Sequence, residues 1–191
     1  MEYQRIDLDA SLVGEAVRLC DEHVGQGLYT SQTLTAAVDQ SPRHRFELIR
    51  IEGETVGYFY THVLPAADIE QIQGYTKELC TGLVPEGSTV GILRSAGVAA
   101  PYRKMGLMDA LIREYTAELF EQGCDVVLAL AWERRGTVPM HNILRKNGFY
   151  PMYRAEQPWR TVTTLRCPEC GRRSCTCDGV LYFQRRDNWE A

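Results

Sequence analysis

An apolar strand that runs through a short basic loop into a helix is the feature of this sequence that most constrains its fold. Thr89–Ala100 has the length and composition of a strand, and the most periodic helical stretch of the chain begins directly after Gly106. The unpaired N–H groups and dipole of a helix N-terminus attract anions, and glycine lets the backbone approach a phosphate closely. Arg103 and Lys104 add positive charge to the same loop. The segment therefore predicts a diphosphate-binding loop, with an ordinary solvated helix N-terminus as the alternative.

Strand-like and helix-like stretches alternate along the rest of the chain, which predicts the α/β class. The predicted strands are residues 1–7, Phe46–Ile51, Thr55–Val63, Thr89–Ala100, Val126–Ala131, Arg160–Arg166 and Val180–Arg185. The predicted helices are Ser11–Glu22, Gln32–Asp39, Ile69–Leu79, Leu107–Phe120 and Thr137–Lys146. Ser41-Pro42 is expected to end the second helix, and Glu52-Gly53-Glu54 to join two strands as a hairpin. We expect a single domain over residues 1–191.

Composition argues against several classes of function. The net charge of −4 gives no reason to expect a nucleic-acid partner. No apolar run approaches the roughly 20 residues of a membrane span, and the first ten residues lack the pattern of a signal peptide. Seven cysteines without a secretory signal predict a reducing, cytoplasmic location, and they favour a metal over disulfides.

Two motifs in the second half of the chain resemble those of the GCN5-related N-acetyltransferase (GNAT) family. Arg103-x-x-Gly106-x-Met108 resembles the family signature Arg/Gln-x-x-Gly-x-Gly/Ala. Leu144–Phe149 resembles the family's second landmark, a helix that ends in Gly-Phe, and one helix and one strand separate the two motifs. The resemblance is specific over about residues 90–153.

This resemblance implies a mixed β-sheet flanked by helices, in which the strands near residues 89–100 and 126–131 splay apart. Acetyl-CoA, the implied co-substrate, enters that gap, and an amine attacks its thioester directly. The implied acceptor is a small-molecule or peptide amine whose identity the sequence does not give. The cofactor-binding residues implied by the resemblance are Val98, Arg103, Lys104, Met105, Gly106, Leu107 and Met108.

Three positions depart from the family pattern. Met108 stands where the family prefers glycine or alanine, and Thr137 stands where it commonly has asparagine. Leu144 occupies the place of the tyrosine that protonates the leaving thiolate, so that role is vacant or has moved to another residue.

A base for the attacking amine is not evident on the central strand, because residues 87–108 contain no Asp or Glu. The first candidate catalytic residues are His141 and Tyr150 near the fourth helix. Further candidates are Tyr153, His23, Tyr29 and Glu133. The alternatives are a packing histidine and a tyrosine that belongs to the sheet. By the resemblance, the loop after the first helix borders the acceptor. The candidate acceptor-side residues on it are His23, Gln26 and Tyr29.

The cysteine cluster near the C-terminus has the spacing C-x2-C-x4-C-x-C. Its ligands are Cys167, Cys170, Cys175 and Cys177. Four soft sulfur ligands favour Zn²⁺ or iron, and a closed thiolate shell leaves no open position for catalysis. We therefore predict a structural zinc clip over residues 166–178, between the last two strands. Disulfides and an iron–sulfur site are the alternatives.

The sequence is consistent with three functions. The first is an acetyl-CoA-dependent N-acetyltransferase. The second is a catalytically silent acyl-CoA-binding protein, suggested by Leu144 and by the strand without carboxylates. The third is an interaction module that binds protein or RNA through the zinc clip.

Overall fold

The computed structural model describes residues 2–39, 43–80, 82 and 84–189, and its centre is a seven-stranded mixed sheet. The strands are β1 (Gln4–Asp7), β2 (His44–Ile51), β3 (Glu54–Pro65), β4 (Thr89–Val98), β5 (Val126–Trp132), β6 (Tyr150–Ala155) and β7 (Gly179–Arg185). The α-helices are α1 (Val13–His23), α2 (Ser31–Asp39), α3 (Lys77–Cys80), α4 (Leu107–Glu121) and α5 (His141–Lys146). Short 3₁₀ turns occupy Ala66–Gln71, Ala100–Tyr102 and Arg186–Asn188.

The strands follow the spatial order β1-β2-β3-β4-β5-β7-β6. All neighbouring pairs are antiparallel except β4 and β5, which run parallel. A crossover through α4 joins these two, as a parallel pair requires. The parallel pair lies in the middle of the sheet, where it is covered on both faces.

Alternation along β3 shows how the sheet divides the core into two layers. Tyr58 and Tyr60 pack against α1 and α2, whereas Phe59 between them packs against α4. The ring of Phe59 stacks on Tyr115 of α4 with centroids 4.1 Å apart. Successive side chains of a strand point to opposite faces, so each layer collects every second residue. None of the helices in the described part of the chain has the length and apolarity needed to span a bilayer.

Most of the predicted elements are confirmed, with their ends shifted by a few residues. The hairpin at Glu52-Gly53-Glu54 joins β2 to β3 as expected. The helix predicted over Ile69–Leu79 is wrong, because that stretch forms a 3₁₀ turn and the short α3. The helix predicted to begin at Thr137 begins at His141. The predicted helix stop at Ser41-Pro42 lies outside the described residues.

The largest correction concerns the penultimate strand. Arg160–Arg166 forms turns rather than a strand, and Tyr150–Ala155 forms the strand that pairs with β7. The first five residues of β6 are all exposed, so its sequence lacks the alternation that would have marked it. Arg160–Arg166 instead carries Leu165, whose buried side chain packs beside the cysteines. The cysteine cluster still lies between the last two strands, as predicted.

Candidate active site

A gap in the centre of the sheet defines the site. β4 and β5 are paired only from Val90↔Val126 to Leu93↔Ala129. Beyond that point β4 continues beside β3 as far as Val98, and β5 continues beside β7. The facing edges of the two strands therefore separate and leave backbone groups of β4 without a strand partner.

A cavity of about 1190 Å³ passes through this gap. One end, here called the loop end, is lined by the Arg103–Met108 segment and by residues of α5. The other, the clip end, lies between the α1–α2 loop and the segment that holds the cysteines. Residues from β4 and β5 line the passage between the two ends, so both ends open onto the same separated strands.

The loop end has the features of an anion site. Gly106 caps α4 with φ 85° in the left-handed region, and Lys104 has φ 63°. The first intrahelical bond runs from Ala110 N–H to Gly106 C=O, so the preceding N–H groups of the turn are unpaired within the helix. A substitution at Gly106 would meet no atom within 4 Å, so glycine is required there for its backbone conformation.

Lys146 also lies at the loop end, a position that the sequence did not indicate. Its Nζ donates to the Asp109 carboxylate at 2.6 Å, and Asn147 donates to the same group at 2.7 Å. The hydrogen bond from Lys146 is the main cause that lowers the pKa of Asp109. These contacts tie α5 to the first turn of α4 and hold Lys146 at the cavity wall.

His23 lies where the cavity passes through the gap. It is the last residue of α1, and its ring packs so closely on β4 that a Cβ on Gly97 would meet Cδ2 at 2.5 Å. Its Nδ1 is 3.4 Å from an Arg103 guanidinium nitrogen, while Nε2 is buried and has no partner among the described residues. Burial lowers the pKa of His23, and Arg103 lowers it further, so the ring is neutral at pH 7.

Arg103 points toward His23 and the end of β4 in this structure. Its Nε donates to the Val98 carbonyl at 2.7 Å. The cavity is lined by six of the seven residues that the resemblance implies as cofactor-binding: Val98, Arg103, Lys104, Gly106, Leu107 and Met108. Met105 is 55% exposed and is not among the lining residues that the structure describes.

The other sequence candidates divide into two groups. Tyr29 is buried and lines the clip end, and burial raises its pKa to about 12. Gln26, His141 and Tyr150 are not among the described residues that line the cavity. His141 Nδ1 lies 2.8 Å from the Tyr182 hydroxyl, and Tyr150 is an exposed residue of β6.

Leu144 is buried and lines the cavity, so no hydroxyl stands at the position where the family tyrosine is expected. Thr137 donates its hydroxyl proton to the Arg134 carbonyl in the turn before α5. Leu144 therefore makes this part of the cavity wall apolar, and the Thr137 hydroxyl is engaged in a local turn.

The four clip cysteines converge on one point. The sulfur atoms of Cys167, Cys170, Cys175 and Cys177 all lie within 4.8 Å of one another. Four thiolates at 2.3 Å around a tetrahedral zinc ion stand about 3.8 Å apart. The separation of Cys167 and Cys177, 3.7 Å, fits that geometry. Burial alone would raise the pKa of Cys170, but backbone N–H donors at Thr176 and Arg172 lower it to about 6.

The clip packs directly on the α1–α2 loop. Arg166 N–H donates to the Gln26 carbonyl, and the Thr164 hydroxyl donates to the Gly27 carbonyl, both at 2.7 Å. A Cβ on Gly27 would lie 2.3 Å from the Thr164 carbonyl, so only glycine permits this contact. Gln26 thus joins two cavity walls through its backbone, a long-range contact that its position in the sequence did not indicate.

Comparisons with known proteins agree with this geometry. Residues 16–149 match the sequence profile of the Acetyltransferase (GNAT) family. No curated protein matches the chain.

Among solved structures, the ribosomal-protein-S18-alanine N-acetyltransferase from Escherichia coli superposes with a TM-score of 0.64 at 13% identity, covering 100% of this chain and 96% of that one. Arabidopsis thaliana NAA60 in complex with acetyl-CoA gives 0.68 at 15% identity, covering 97% and 99%. An IAA acetyltransferase from Bacillus cereus gives 0.61 at 10% identity, covering 96% and 99%.

Proposed function

Because the chain belongs to the GNAT acetyltransferase family, we propose that it transfers an acetyl group from acetyl-CoA to an amine. The observation that carries the proposal is the cavity through the β4–β5 gap, with an anion-binding loop at one end and a second chamber at the other. A thioester can reach through such a passage, so that its carbonyl carbon meets an amine that enters from the clip end.

The loop end supplies the binding energy for the diphosphate of CoA in this proposal. The unpaired N–H groups after Lys104 and the positive end of the α4 dipole face the cavity, and Lys146 lies at the same end in an ion pair with Asp109. The unpaired edge of β4 near Val98 offers hydrogen bonds to the pantetheine amides.

The reaction is a direct attack. The amine lone pair forms a bond to the thioester carbonyl carbon, and the C–S bond breaks with its electron pair on sulfur. The amine nitrogen loses one proton to a base, and the thiolate gains one proton from solvent or from a nearby acid. His23 is the base in this proposal, because its ring is neutral at pH 7 and lies at the gap.

Arg103 links cofactor binding to that base. A guanidinium can only donate, so its contact with Nδ1 favours the His23 tautomer that carries its proton on Nε2. When the CoA diphosphate draws Arg103 toward the loop, Nδ1 is left with a free lone pair. The base is then available only in the acetyl-CoA complex.

The acceptor in this proposal is an amine of low pKa. The cavity lining described by the structure contains one carboxylate, Asp109, and Lys146 already holds it at the loop end. A peptide α-amino group has a pKa near 7.7–8.0, about 2.5 units below that of a lysine side chain, so it loses its proton more readily at neutral pH. The name of the Escherichia coli relative, an alanine N-acetyltransferase of a ribosomal protein, supports an α-amino acceptor. Preference for lysine ε-amines at pH 7 would contradict this assignment.

The clip residues fit a zinc ion by donor type and by the distance between sulfurs. Cys167, Cys170, Cys175 and Cys177 would hold it, and a four-thiolate zinc supplies structural rigidity without an open coordination site. Cys167 and Cys175 line the cavity, so in this proposal the ion shapes the acceptor chamber and takes no part in proton transfer.

Gly106→Glu tests the CoA site. The variant places a negative charge and a strained residue at the diphosphate, so the rise in melting temperature caused by acetyl-CoA should disappear. Gly123→Glu is the matched control, because Gly123 also has positive φ and open space around it but follows the far end of α4. An acetyl-CoA shift that survives in folded Gly106→Glu and equals that of Gly123→Glu would contradict the site.

Because Leu144 cannot protonate a leaving thiolate, a second candidate function is that of a catalytically silent acyl-CoA-binding protein. Thiol release from acetyl-CoA in the presence of a broad panel of amines and peptides separates the two. Amine-dependent release supports the transferase, whereas binding without release supports the silent protein.

A further inference from the structure

Arg94 occupies an unusual position in the clip end of the cavity. Tyr60 pairs with Ser95 and Thr61 pairs with Leu93, so a β-bulge leaves Arg94 without a partner on β3. Bulges of this kind re-aim a side chain next to a functional cavity. Arg94 lines both the main cavity and a second cavity of about 210 Å³ beside it.

The guanidinium of Arg94 has no counter-charge among the residues that the structure describes. Its contacts are the Tyr60 hydroxyl at 3.4 Å and the Tyr60 ring, 5.2 Å from its centre. No carboxylate in the described part of the chain lies within the 4.0 Å of an ion pair with it. Two arginines at the β1–β2 edge of the same sheet are paired: Arg5 and Arg45 both contact Glu47 and Glu118.

The groups around Arg94 cannot neutralise it. His44 and His62 stack with ring centroids 3.6 Å apart beside Tyr60. Burial, reinforced by the charge of Arg94, lowers the pKa of His44 to about 4. Burial is the main cause that lowers the pKa of His62 to about 3, and electrostatic interactions with His44 and Arg94 lower it further. Both rings are neutral at pH 7, and a partly desolvated cation therefore faces the chamber unpaired.

The chamber in front of Arg94 is lined largely by apolar and aromatic side chains, with the polar Gln73, Ser95 and Thr164 among them. A second cation, Arg134, lies over the Trp132 ring, 4.6 Å from its centre. Leu130 and Trp132 of β5 form one wall, and Trp159 and Leu165 form the wall next to the clip. Tyr29 closes the chamber from the α1–α2 side. A ligand that satisfies these surfaces has an apolar body and one anionic group.

We propose that the acceptor is an amine that carries a carboxylate, and that Arg94 binds this carboxylate. The proposal rests on the acetyltransferase function proposed above and specifies the substrate class of the same site. The guanidinium fork matches a carboxylate in two parallel hydrogen bonds. The carboxylate can belong to a free amino acid or to an acidic side chain of a peptide; the chemistry that Arg94 recognises is the same.

Binding of acetylated products tests the proposal without requiring turnover. N-acetyl-L-phenylalanine and N-acetyl-L-phenylalaninamide differ only in the carboxylate, and neither has a titratable amine. A second pair consists of N-acetylated dipeptide amides with glutamate or glutamine at the second position. The dissociation constants of all four are measured for the wild type, Arg94→Gln and Arg94→Lys, each saturated with CoA.

We expect the wild type to bind the carboxylate member of one pair about 10- to 100-fold more tightly than its amide. Arg94→Gln should bring the two members of that pair to equal affinity, and Arg94→Lys should restore part of the difference. The pair that shows the effect identifies the source of the carboxylate. If neither pair shows a preference, or if the preference persists in Arg94→Gln, the proposal is wrong.

Two further readouts separate this inference from the proposed function. The CoA dissociation constant should be the same for the wild type and both variants, which shows that the fold is intact. Absence of thioester turnover, alongside a carboxylate preference that depends on Arg94, would contradict the acetyltransferase proposal alone.

Discussion

At the scale of single residues, the site depends on contacts that join distant parts of the sequence. His23 meets Gly97 only because α1 folds onto β4, and Arg94 faces the chamber only because a bulge turns it there. Neither relation has a local signature. The Arg103–Met108 loop could be predicted, since its chemistry lies within one strand–loop–helix junction. Sequence patterns therefore point to the Arg103–Met108 loop and to His23 as candidates, but they indicate neither the close contact of His23 with Gly97 nor the unpaired Arg94.

His23→Gln tests the proposed base. The variant removes a proton acceptor but keeps a polar side chain of similar length, so kcat should fall about 10²- to 10⁴-fold. The acetyl-CoA-induced rise in melting temperature should remain, because the loop end is unchanged. His141→Gln serves as the paired variant, since His141 is another histidine that the sequence offers as a candidate and contacts Tyr182. A loss of activity in His141→Gln with a normal His23→Gln would reverse the assignment.

At the scale of elements, predictability follows the burial pattern of each segment. α4 and β5 were identified from sequence because one has a clear apolar face and the other is almost wholly buried. β6 has no such pattern, because five of its six residues are exposed. Arg160–Arg166 has the composition of a strand because three threonines lie beside one valine, yet contacts with Gln26 and Gly27 hold it in turns.

Cys170→Ser tests the clip as an element. The wild type should contain one zinc per chain by elemental analysis, and the variant should lose it. Without the ion, the clip segment beside the α1–α2 loop becomes ordered only when the acceptor binds, and this ordering costs binding free energy. Ordering the equivalent of one residue costs about 1.4 kcal/mol, so the acceptor KM should rise roughly tenfold while CoA affinity stays the same.

Arg173→Ser is the control for this experiment, because Arg173 is an exposed clip residue outside the ligand set. It should keep both the zinc and the acceptor KM. Zinc retained in Cys170→Ser would show that the ligand assignment is wrong. If the variant loses zinc and keeps the acceptor KM of the wild type, the clip only stabilises the connection between β6 and β7 and does not affect acceptor binding.

At the scale of the whole molecule, buried histidines couple folding to pH. The pKa values of His23, His44 and His62 are all lowered by burial, to about 4 for His44 and about 3 for His62. In the unfolded chain these groups titrate near 6.5. Between pH 6.5 and pH 4 the unfolded state therefore binds more protons than the folded state, and the free energy of unfolding falls as the pH falls.

His62→Leu isolates one of these groups. Leucine is neutral at every pH and also removes the buried Nδ1, which has no partner among the described residues. A buried histidine that is neutral in the fold contributes up to about 1.4 kcal/mol per pH unit below 6.5, so from pH 7 to pH 5 the wild type should lose about 1–2 kcal/mol more than the variant. Urea unfolding at half-unit intervals measures this difference. The two curves should run parallel from pH 7 to pH 8, where neither state of His62 takes up a proton. Equal slopes below pH 6.5 would mean that His62 is solvated and protonates in the folded protein. The assignment of His44 and His62 as a neutral pair beside Arg94 would then be wrong.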